Sequence, residues 1–434
     1  MKSVTMISWD FDPFYVRGGS AYATRRLADQ LTALGIETRV LLPDRGNSFA
    51  GGATSLLKPT PVTTRADFRD AARVLQCAEF CRAAVPLVEQ IQATSGSDAV
   101  IAHGDEGAMF FVMRNGSGSS APTVFWLHSL YDPSLAPLSP EQRRLLSSQS
   151  LLASAVMKAD IVVTSQGILK DAEDLEWPGR LNELQQALVN ASSENRVLTV
   201  ESVGCLPEIA KHPAERNSNS NLDSLSSLPS PYVLFPCRPS IDKGRGIFDA
   251  FAERLKSHGI ACVAVQRPGA AKLQRPTRDG VRWLPWLGQD ELLIAMRNAT
   301  CTVMPSLTEG FGLAAAESIR AGVRTLYHEV GGHHDLDGQP HAQKVPLTRT
   351  ERERLYRLWL ELVDTDPDSS SVWSRHESSL QRLVGNWVEA IRRVVHQQID
   401  GAPGTGLNDT QLAKERWANK LCDRIAAGAT HESH

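Results

Sequence analysis

Two successive runs of strand-helix alternation, separated by a polar stretch, constrain this 434-residue chain more than any other feature. Val4 to Ser8 is an apolar run of strand length, and Ala23, Leu27, Leu31 and Leu34 follow at the spacing of one helix face, with Gly35 as the stop. Thr38 to Leu42, Ala99 to Ala102, Thr123 to Leu127, Ile161 to Thr164 and Leu198 to Val203 read as further strands, several with amphipathic stretches between them. Alternation of this kind predicts a parallel sheet with helices on both faces. It stops at Lys211 to Pro231, where Asn-Ser-Asn-Ser-Asn and Leu-Ser-Ser-Leu-Pro-Ser-Pro read as a linker or loop. It restarts with strands at Tyr232 to Pro236, Ile260 to Val265, Cys301 to Met304 and Val323 to Tyr327, and helices at Ile247 to Lys256, Glu291 to Arg297 and Leu313 to Ala321. The tail is helical: Glu351 to Val363, Ser378 to Gln398 and Thr410 to Ala427.

The expected organisation is an N-terminal Rossmann-like domain over 1–212, a linker over 213–230, a second α/β domain over 231–405, and a closing helix in 406–434 that packs back on the first domain. A net charge of -3 gives no reason to expect nucleic acid or an anionic membrane surface as partner. No run of eighteen apolar residues is present, which argues against an integral membrane segment. The start runs from a short apolar stretch straight into Asp10 and Asp12, unlike a signal peptide, and points to a cytoplasmic protein. The seven cysteines are scattered, and Cys77 and Cys81 have no second pair near them to complete a zinc site; reduced, buried thiols are expected.

In open parallel sheets, ligand sites lie beyond the carboxyl ends of the strands. The loop after Tyr232 to Pro236 reads Cys237-Arg238-Pro239-Ser240-Ile241-Asp242-Lys243-Gly244-Arg245-Gly246. Arg238 and Lys243 there precede a helix start, whose free N–H groups favour an anion. Arg clamps phosphate oxygens bidentately and Lys acts as a compact charge, a combination suited to a departing diphosphate. A turn with solvated cations is the plain alternative. The loop after Cys301 to Met304 continues as Pro305-Ser306-Leu307-Thr308-Glu309-Gly310-Phe311-Gly312-Leu313-Ala314-Ala315-Ala316-Glu317. Glu309 can accept bonds from sugar hydroxyls, the N–H groups of Phe311, Gly312, Leu313 and Ala314 can hold sugar and phosphate, and Glu317 can bind ribose hydroxyls. Favourable charge at a helix start explains one Glu, but not the Gly-Phe-Gly turn between two.

The paired loops are similar to those of the retaining glycosyltransferases of family 4, the glycosyl transferases group 1, which have the GT-B fold. Seven residues separate Glu309 from Glu317, as in that family's signature, and Arg238 and Lys243-Gly244 match its upstream Arg and Lys-Gly. Gly18-Gly19 resembles its glycine pair after the first strand, and His128 in Phe125-Trp126-Leu127-His128 its strand-end histidine. The resemblance runs in order over nearly the whole chain. It implies two facing Rossmann-like α/β/α domains, with the C-terminal helix returning to the N-domain. It also implies a nucleotide-diphosphate sugar (GDP-, UDP-, ADP- or dTDP-linked) as co-substrate, with no metal and no other cofactor. Arg238 and Lys243 would neutralise the diphosphate, Glu309 would bind the donor sugar and Glu317 the ribose. The Gly19 amide would approach the phosphates, His128 the sugar near its C6 hydroxyl, and Trp286 and Leu287 the nucleobase. Domain closure would exclude water, and the acceptor would attack from the leaving-group face, with retention. The sequence departs from the family where Gly331-Gly332 is followed by His333-His334-Asp335 rather than a small residue and Pro-Glu, and where Val203-Gly204-Cys205 replaces Asn-Gly-Val-Asp.

Three weaker signals remain. Asp10-Phe11-Asp12 has the form of a metal-binding triplet, but Asp12 suits an acceptor-side or turn element better in this context. His103, Asp105 and Glu106 follow a strand and could supply a general base for the acceptor, or plain surface charge. His333 and His334 are adjacent, so on a strand they would face opposite sides and could not chelate together. The expected activity is transfer of a sugar to a small polar acceptor; a chain rich in Ala, Arg and Leu with a divergent acceptor half is compatible with specialised-metabolite, antibiotic-like biosynthesis. The rivals are transfer from an activated cyclitol, a nucleotide-sugar epimerase and a non-catalytic nucleotide-sugar sensor. The oligomeric state is open.

Overall fold

In a computed structural model of the chain, the apolar runs form two sheets whose strand pairings are parallel. The structure describes residues 1–9, 11, 19–44, 54–63, 73–114, 121–128, 130, 150–200, 225, 227–240, 242–266, 280–364, 375–399 and 417–431. Two units are present, one of Met1–Pro207 with Ala413–His434 and one of Glu208–Leu412. The first contains β1 (Ser3–Ile7), α1 (Gly19–Ala33), β2 (Glu37–Pro43), β3 (Leu57–Val62), α2 (Arg73–Ser95), β4 (Ala99–His103), α3 (Gly104–Met113), β5 (Thr123–Trp126), α4 (Leu151–Lys158), β6 (Ile161–Thr164), α5 (Gln166–Asp174), α6 (Arg180–Ser193) and β7 (Val197–Thr199). The second contains β8 (Tyr232–Phe235), α7 (Arg245–Lys256), β9 (Ala261–Val265), β10 (Val281–Leu284), α8 (Gln289–Asn298), β11 (Cys301–Met304), α9 (Leu313–Arg320), β12 (Thr325–His328), a 3-10 turn (Gly331–Leu336), β13 (Ala342–Val345), α10 (Arg349–Asp364) and α11 (Glu377–Ile399). The last helix, α12 (Trp417–His431), belongs to the first unit.

The strand orders are β3-β2-β1-β4-β5-β6-β7 and β10-β9-β8-β11-β12-β13. In the first sheet Met6 of β1 lies opposite Val40 of β2 and Ile101 of β4. In the second, Val233 of β8 lies opposite Cys262 of β9 and Cys301 of β11. Each sheet therefore reverses its order once, between β1 and β4 and between β8 and β11. Loops leaving such a pair of strands diverge and open a crevice, where ligands bind in folds of this kind.

The central strands are covered on both faces, so they read as continuous apolar runs rather than alternating ones. Every residue of β11 is buried, as is every residue of β8. The edges differ. β3, β10 and β13 are largely half-buried, and β3 carries Pro59 and Pro61, which an edge tolerates because one backbone side needs no partner. The sequence reading names none of these three, although it does name the fourth edge, β7, which is half-buried as well. β12 also begins later than expected: the Val323 N–H donates to Ser318 O, closing the end of α9 instead of entering the sheet. The strand expected to reach Val203 ends at Thr199, and residues 201–210 and 410–416 lie outside the described set.

Helix docking follows the apolar stripes. α7 buries Ile247, Phe248, Phe251 and Leu255. Phe248 stacks on Phe235 of β8 at 4.8 Å, and Phe251 stacks on Trp387 of α11 at 5.4 Å. α12 buries Ala418, Leu421 and Ile425, and its Ala418 N–H donates to Gln30 Oε1 on α1 at 3.4 Å. Among the described residues no helix is long and apolar enough to cross a membrane.

Candidate functional site

The loops after β8 and β11 leave the reversal point of the second sheet and are stitched to each other. The Leu307 N–H donates to Asp242 O at 2.9 Å. Gly244, just before α7, has φ 75°, and a Cβ there would stand 1.8 Å from Pro305 O. Only glycine permits both the left-handed turn and this backbone approach.

The close approach brings opposite charges together. Lys243 Nζ donates to Glu309 Oε1 at 2.6 Å, with Asp242 Oδ2 at 3.8 Å. Burial opposes the Lys243 charge, but Glu309 and Asp242 outweigh it and hold the ammonium above its ordinary range. Burial likewise opposes the Glu309 carboxylate, yet Lys243, His333 and Ser306 bring its pKa down to about 2. The pair is thus ionised and internal. Arg238 is more exposed, and its guanidinium lies 3.4 Å from Asp242 Oδ2. The site therefore offers one guarded and one exposed cation to an anion.

Glu309 is held on all sides. Its Oε1 also accepts the Gly310 N–H at 3.2 Å, and its Oε2 accepts the Ser306 hydroxyl at 3.2 Å. His333 Nε2 lies 3.6 Å from Oε2. The 3-10 turn that carries His333 is tied to the β11 loop by the Gly332 N–H, which donates to Glu309 O at 3.2 Å. Behind Ser306 stands His328, whose Nδ1–H donates to Ser306 O at 3.2 Å and whose Nε2 accepts the Trp387 Nε1–H at 2.6 Å. Burial keeps this imidazole neutral, with a pKa down to about 4.

α9 is preceded by Gly312, which has φ 64° and provides no side-chain cap. Phe311 is buried, while Leu313 and Ala314 are half-buried at the helix start. Glu317, one turn on, is half-buried, and desolvation pushes its carboxyl up to about 7 against the pull of Arg320. Trp286 is exposed by 50%, whereas Leu287 is in the apolar core, so any ligand contact of Leu287 runs through its backbone. At the start of α7, the Arg245 guanidinium lies 5.3 Å from the Trp283 ring centroid.

In the first unit, β4 ends at His103, and the next strand, β5, leads to His128. His103 Nδ1 and His128 Nε2 are 3.1 Å apart and share one proton, with the Thr24 hydroxyl 3.4 Å from the same Nδ1. The rings stack at 5.3 Å beside Trp126, 4.4 Å from His128. Desolvation holds both imidazoles neutral, His128 down to about 3. His103 Nε2 is buried and finds no partner among the described residues. Glu106 is buried on α3 with the Cys77 thiol 3.8 Å from its carboxylate, so it faces α2. Gly19 is the first residue of α1. Asp12 and Gly18 lie outside the described residues, as does the Asp105 side chain.

Two features escaped the sequence reading. Ser306 received no role although it bonds Glu309. His333 and His334, which on a strand would face opposite sides, sit instead on a 3-10 turn that begins with Gly331-Gly332. Their side chains still diverge: His334 Nδ1 is 3.4 Å from Glu329 Oε1, while His333 turns toward Glu309. The glycine pair is the signal that could have found them, since a Cβ on Gly332 would stand 2.2 Å from Gly310 O. Two adjacent glycines before a polar residue mark a backbone pressed against another loop.

Comparison with known proteins bears on the family and the fold. The family described as Glycosyl transferases group 1 matches over residues 266–338. No curated protein sequence matches significantly. Among solved structures, the catalytic domain of starch synthase IV from Arabidopsis thaliana bound to ADP and acarbose is similar at 18% identity and TM-score 0.55, covering 91% of this chain and 99% of that one. Sucrose-phosphate synthase from Thermosynechococcus elongatus is similar at 17% identity and TM-score 0.51, covering 92% and 98%. A trehalose-6-phosphate structure from E. coli bound with UDP-2-fluoro glucose is similar at 13% identity and TM-score 0.50, covering 91% and 99%.

Proposed function

We propose that this glycosyl transferase, built on the GT-B fold, moves a sugar from a nucleotide-diphosphate donor to a small polar acceptor with retention of anomeric configuration. The observation that carries the reading is the Lys243–Glu309 pair, 2.6 Å apart, joining the two loops at the reversal of the second sheet. A cation and a carboxylate side by side suit a substrate that is anionic at one end and rich in hydroxyls at the other. Arg238 and Lys243 take the diphosphate, with the uncapped start of α9 adding N–H donors. These groups oppose the charge that grows as the sugar leaves, and they are fixed before it does. Glu309 orients the sugar and Glu317 the ribose, with Trp286 near the base. The ADP and UDP-2-fluoro glucose bound in two similar structures support a nucleotide-linked donor. In the first unit, the His103–His128 pair is the best-formed candidate for contact with hydroxyl groups. The small polar acceptor is carried over from the reading of the sequence, and biosynthesis of a specialised metabolite is one setting for it.

The test is a thermal-shift screen of UDP-, GDP-, ADP- and dTDP-sugars, followed by mass-spectrometric detection of transfer to candidate small acceptors. With the donor identified, Lys243→Ala and Glu309→Ala are each expected to lower kcat/KM by about 10²–10³-fold. Undiminished transfer in either variant would sink the assignment.

A further inference from the structure

The Gly331-Gly332-His333 turn is the part of this site that donor binding leaves without a task. His333 is 1% exposed and its ring is fixed on three sides. Its Nδ1–H donates to His328 O at 2.9 Å, and Tyr327 meets it edge-on at 5.6 Å between centroids. Its Cδ2 lies 2.6 Å from where a Cβ on Gly312 would stand, so the ring fills space that only glycine leaves free. A carbonyl oxygen can only accept, so Nδ1 carries a proton; burial lowers the ring's pKa and favours the neutral form, in which Nε2 presents a lone pair. That lone pair lies 3.6 Å from Glu309 Oε2. Two acceptors therefore stand side by side, and like acceptors are stable together only when donors come to both.

Burial, more than the charges around the ring, favours this state. Burial lowers the His333 pKa; Glu309 and the His328 carbonyl raise it, and Lys243 and His334 lower it again. Glu309 has little capacity elsewhere, because Oε1 already serves the Lys243 ammonium and the Gly310 N–H, and Oε2 the Ser306 hydroxyl. What remains is one lone pair on Oε2 beside one on Nε2.

We propose that His333 Nε2 and Glu309 Oε2 form a two-acceptor edge that reads neighbouring hydroxyl groups of the donor sugar, with His333 as a specificity-determining residue. This rests on the reading of the second unit as the donor site. Two vicinal hydroxyls each bring one proton, and a sugar lacking either leaves a buried acceptor unpaired. Sites that hydrogen-bond a substrate hydroxyl reject the analogue without it for this reason. A sugar with an isolated hydroxyl, or with an acceptor-only group at one position, is expected to be a poor donor.

Steady-state kinetics of the full-length chain test this with the nucleotide-sugar it accepts and with 3-deoxy and 4-deoxy versions of the same donor. Wild type is expected to lose at least about tenfold in kcat/KM with one deoxy donor. His333→Phe should lose a similar factor with the parent donor and no longer distinguish it from that deoxy donor. His333→Gln, which keeps an acceptor, should retain part of the discrimination. Equal losses with all donors in His333→Phe would mark a merely structural role, and unchanged discrimination would show that the ring reads nothing; either overturns the proposal. Nitrogen-15 spectra of wild-type histidines add a readout that needs no variant. A bare Nε2 that shifts on donor binding is expected; an imidazolium in the free protein, or no shift, overturns it. If wild type binds no nucleotide-sugar at all, the donor reading itself fails and takes this inference with it. Binding without discrimination removes the inference alone.

Discussion

Glu317 and Glu309 carry the same functional group into the same unit and are driven in opposite directions. Glu309 meets an ammonium and is held down to about 2, so its contribution to stability is present above the ordinary value of 4.5 and is lost as pH falls through about 2. Glu317 has no comparable partner, and desolvation pushes it up to about 7. Between 4.5 and 7 the folded state then holds the Glu317 proton more tightly than the unfolded state. Its contribution to stability falls as pH rises through that window and is level above it. If the ionised form accepts the ribose hydroxyls, nucleotide binding must also release this proton. Affinity for the nucleoside diphosphate is expected to drop about tenfold per pH unit below 7 and to level off above it. Glu317→Gln should bind more weakly at pH 8 and lose most of this slope. Calorimetric titrations at pH 6, 7 and 8 decide the matter, and a slope preserved in the variant would assign the proton elsewhere. These two carboxylates were legible in the sequence because each lies a fixed short distance from a strand end. Ser306 and His333 were not, because their roles depend on a third loop folding over the first two.

The elements that position the site are held from behind by two successive hydrogen bonds that link three of them. Trp387 of α11 donates to His328 at the end of β12, and His328 donates to the Ser306 carbonyl in the β11 loop. Trp387 also stacks on Phe251 of α7. Trp387→Phe keeps a ring for that stack and removes only the N–H, leaving the buried His328 Nε2 without its donor. The expected cost is about 1–3 kcal/mol of stability. Denaturant unfolding should show a lower midpoint at unchanged slope, while a changed slope would mean that α11 itself has detached. At this scale burial makes a strand easier to read, though the half-buried edge β7 is read as well. β8, β9 and β11 announce themselves as unbroken apolar runs, because both faces are covered. β3, β10 and β13 do not, because an edge strand is half-buried and, in β3, interrupted by prolines. The 3-10 turn is legible only as a glycine pair, since its geometry answers to the loop beneath it rather than to its own residues.

Each unit has its own sheet and its own reversal point, and the chain passes between units twice, so the first is closed by a helix far away in sequence. α12 carries no group assigned to chemistry. Its contribution is the apolar face of Ala418, Leu421 and Ile425, all buried, together with the bond to Gln30 on α1. Burying Leu421 and Ile425 contributes about 3–6 kcal/mol together, a large share of the stability of any single domain. Removal of 413–434 should therefore destabilise the first unit and leave the second intact. A chain of two units need not unfold in one step, so calorimetry should resolve the effect as a transition lowered by several degrees. Nucleoside diphosphate at about a hundred times its Kd should raise the other transition equally in the full-length and truncated proteins, because binding stabilises only the unit that binds. Loss of that protection would mean that the second unit needs the first to hold the nucleotide. An unshifted first transition would mean that the apolar face of α12 contributes little to closing its sheet.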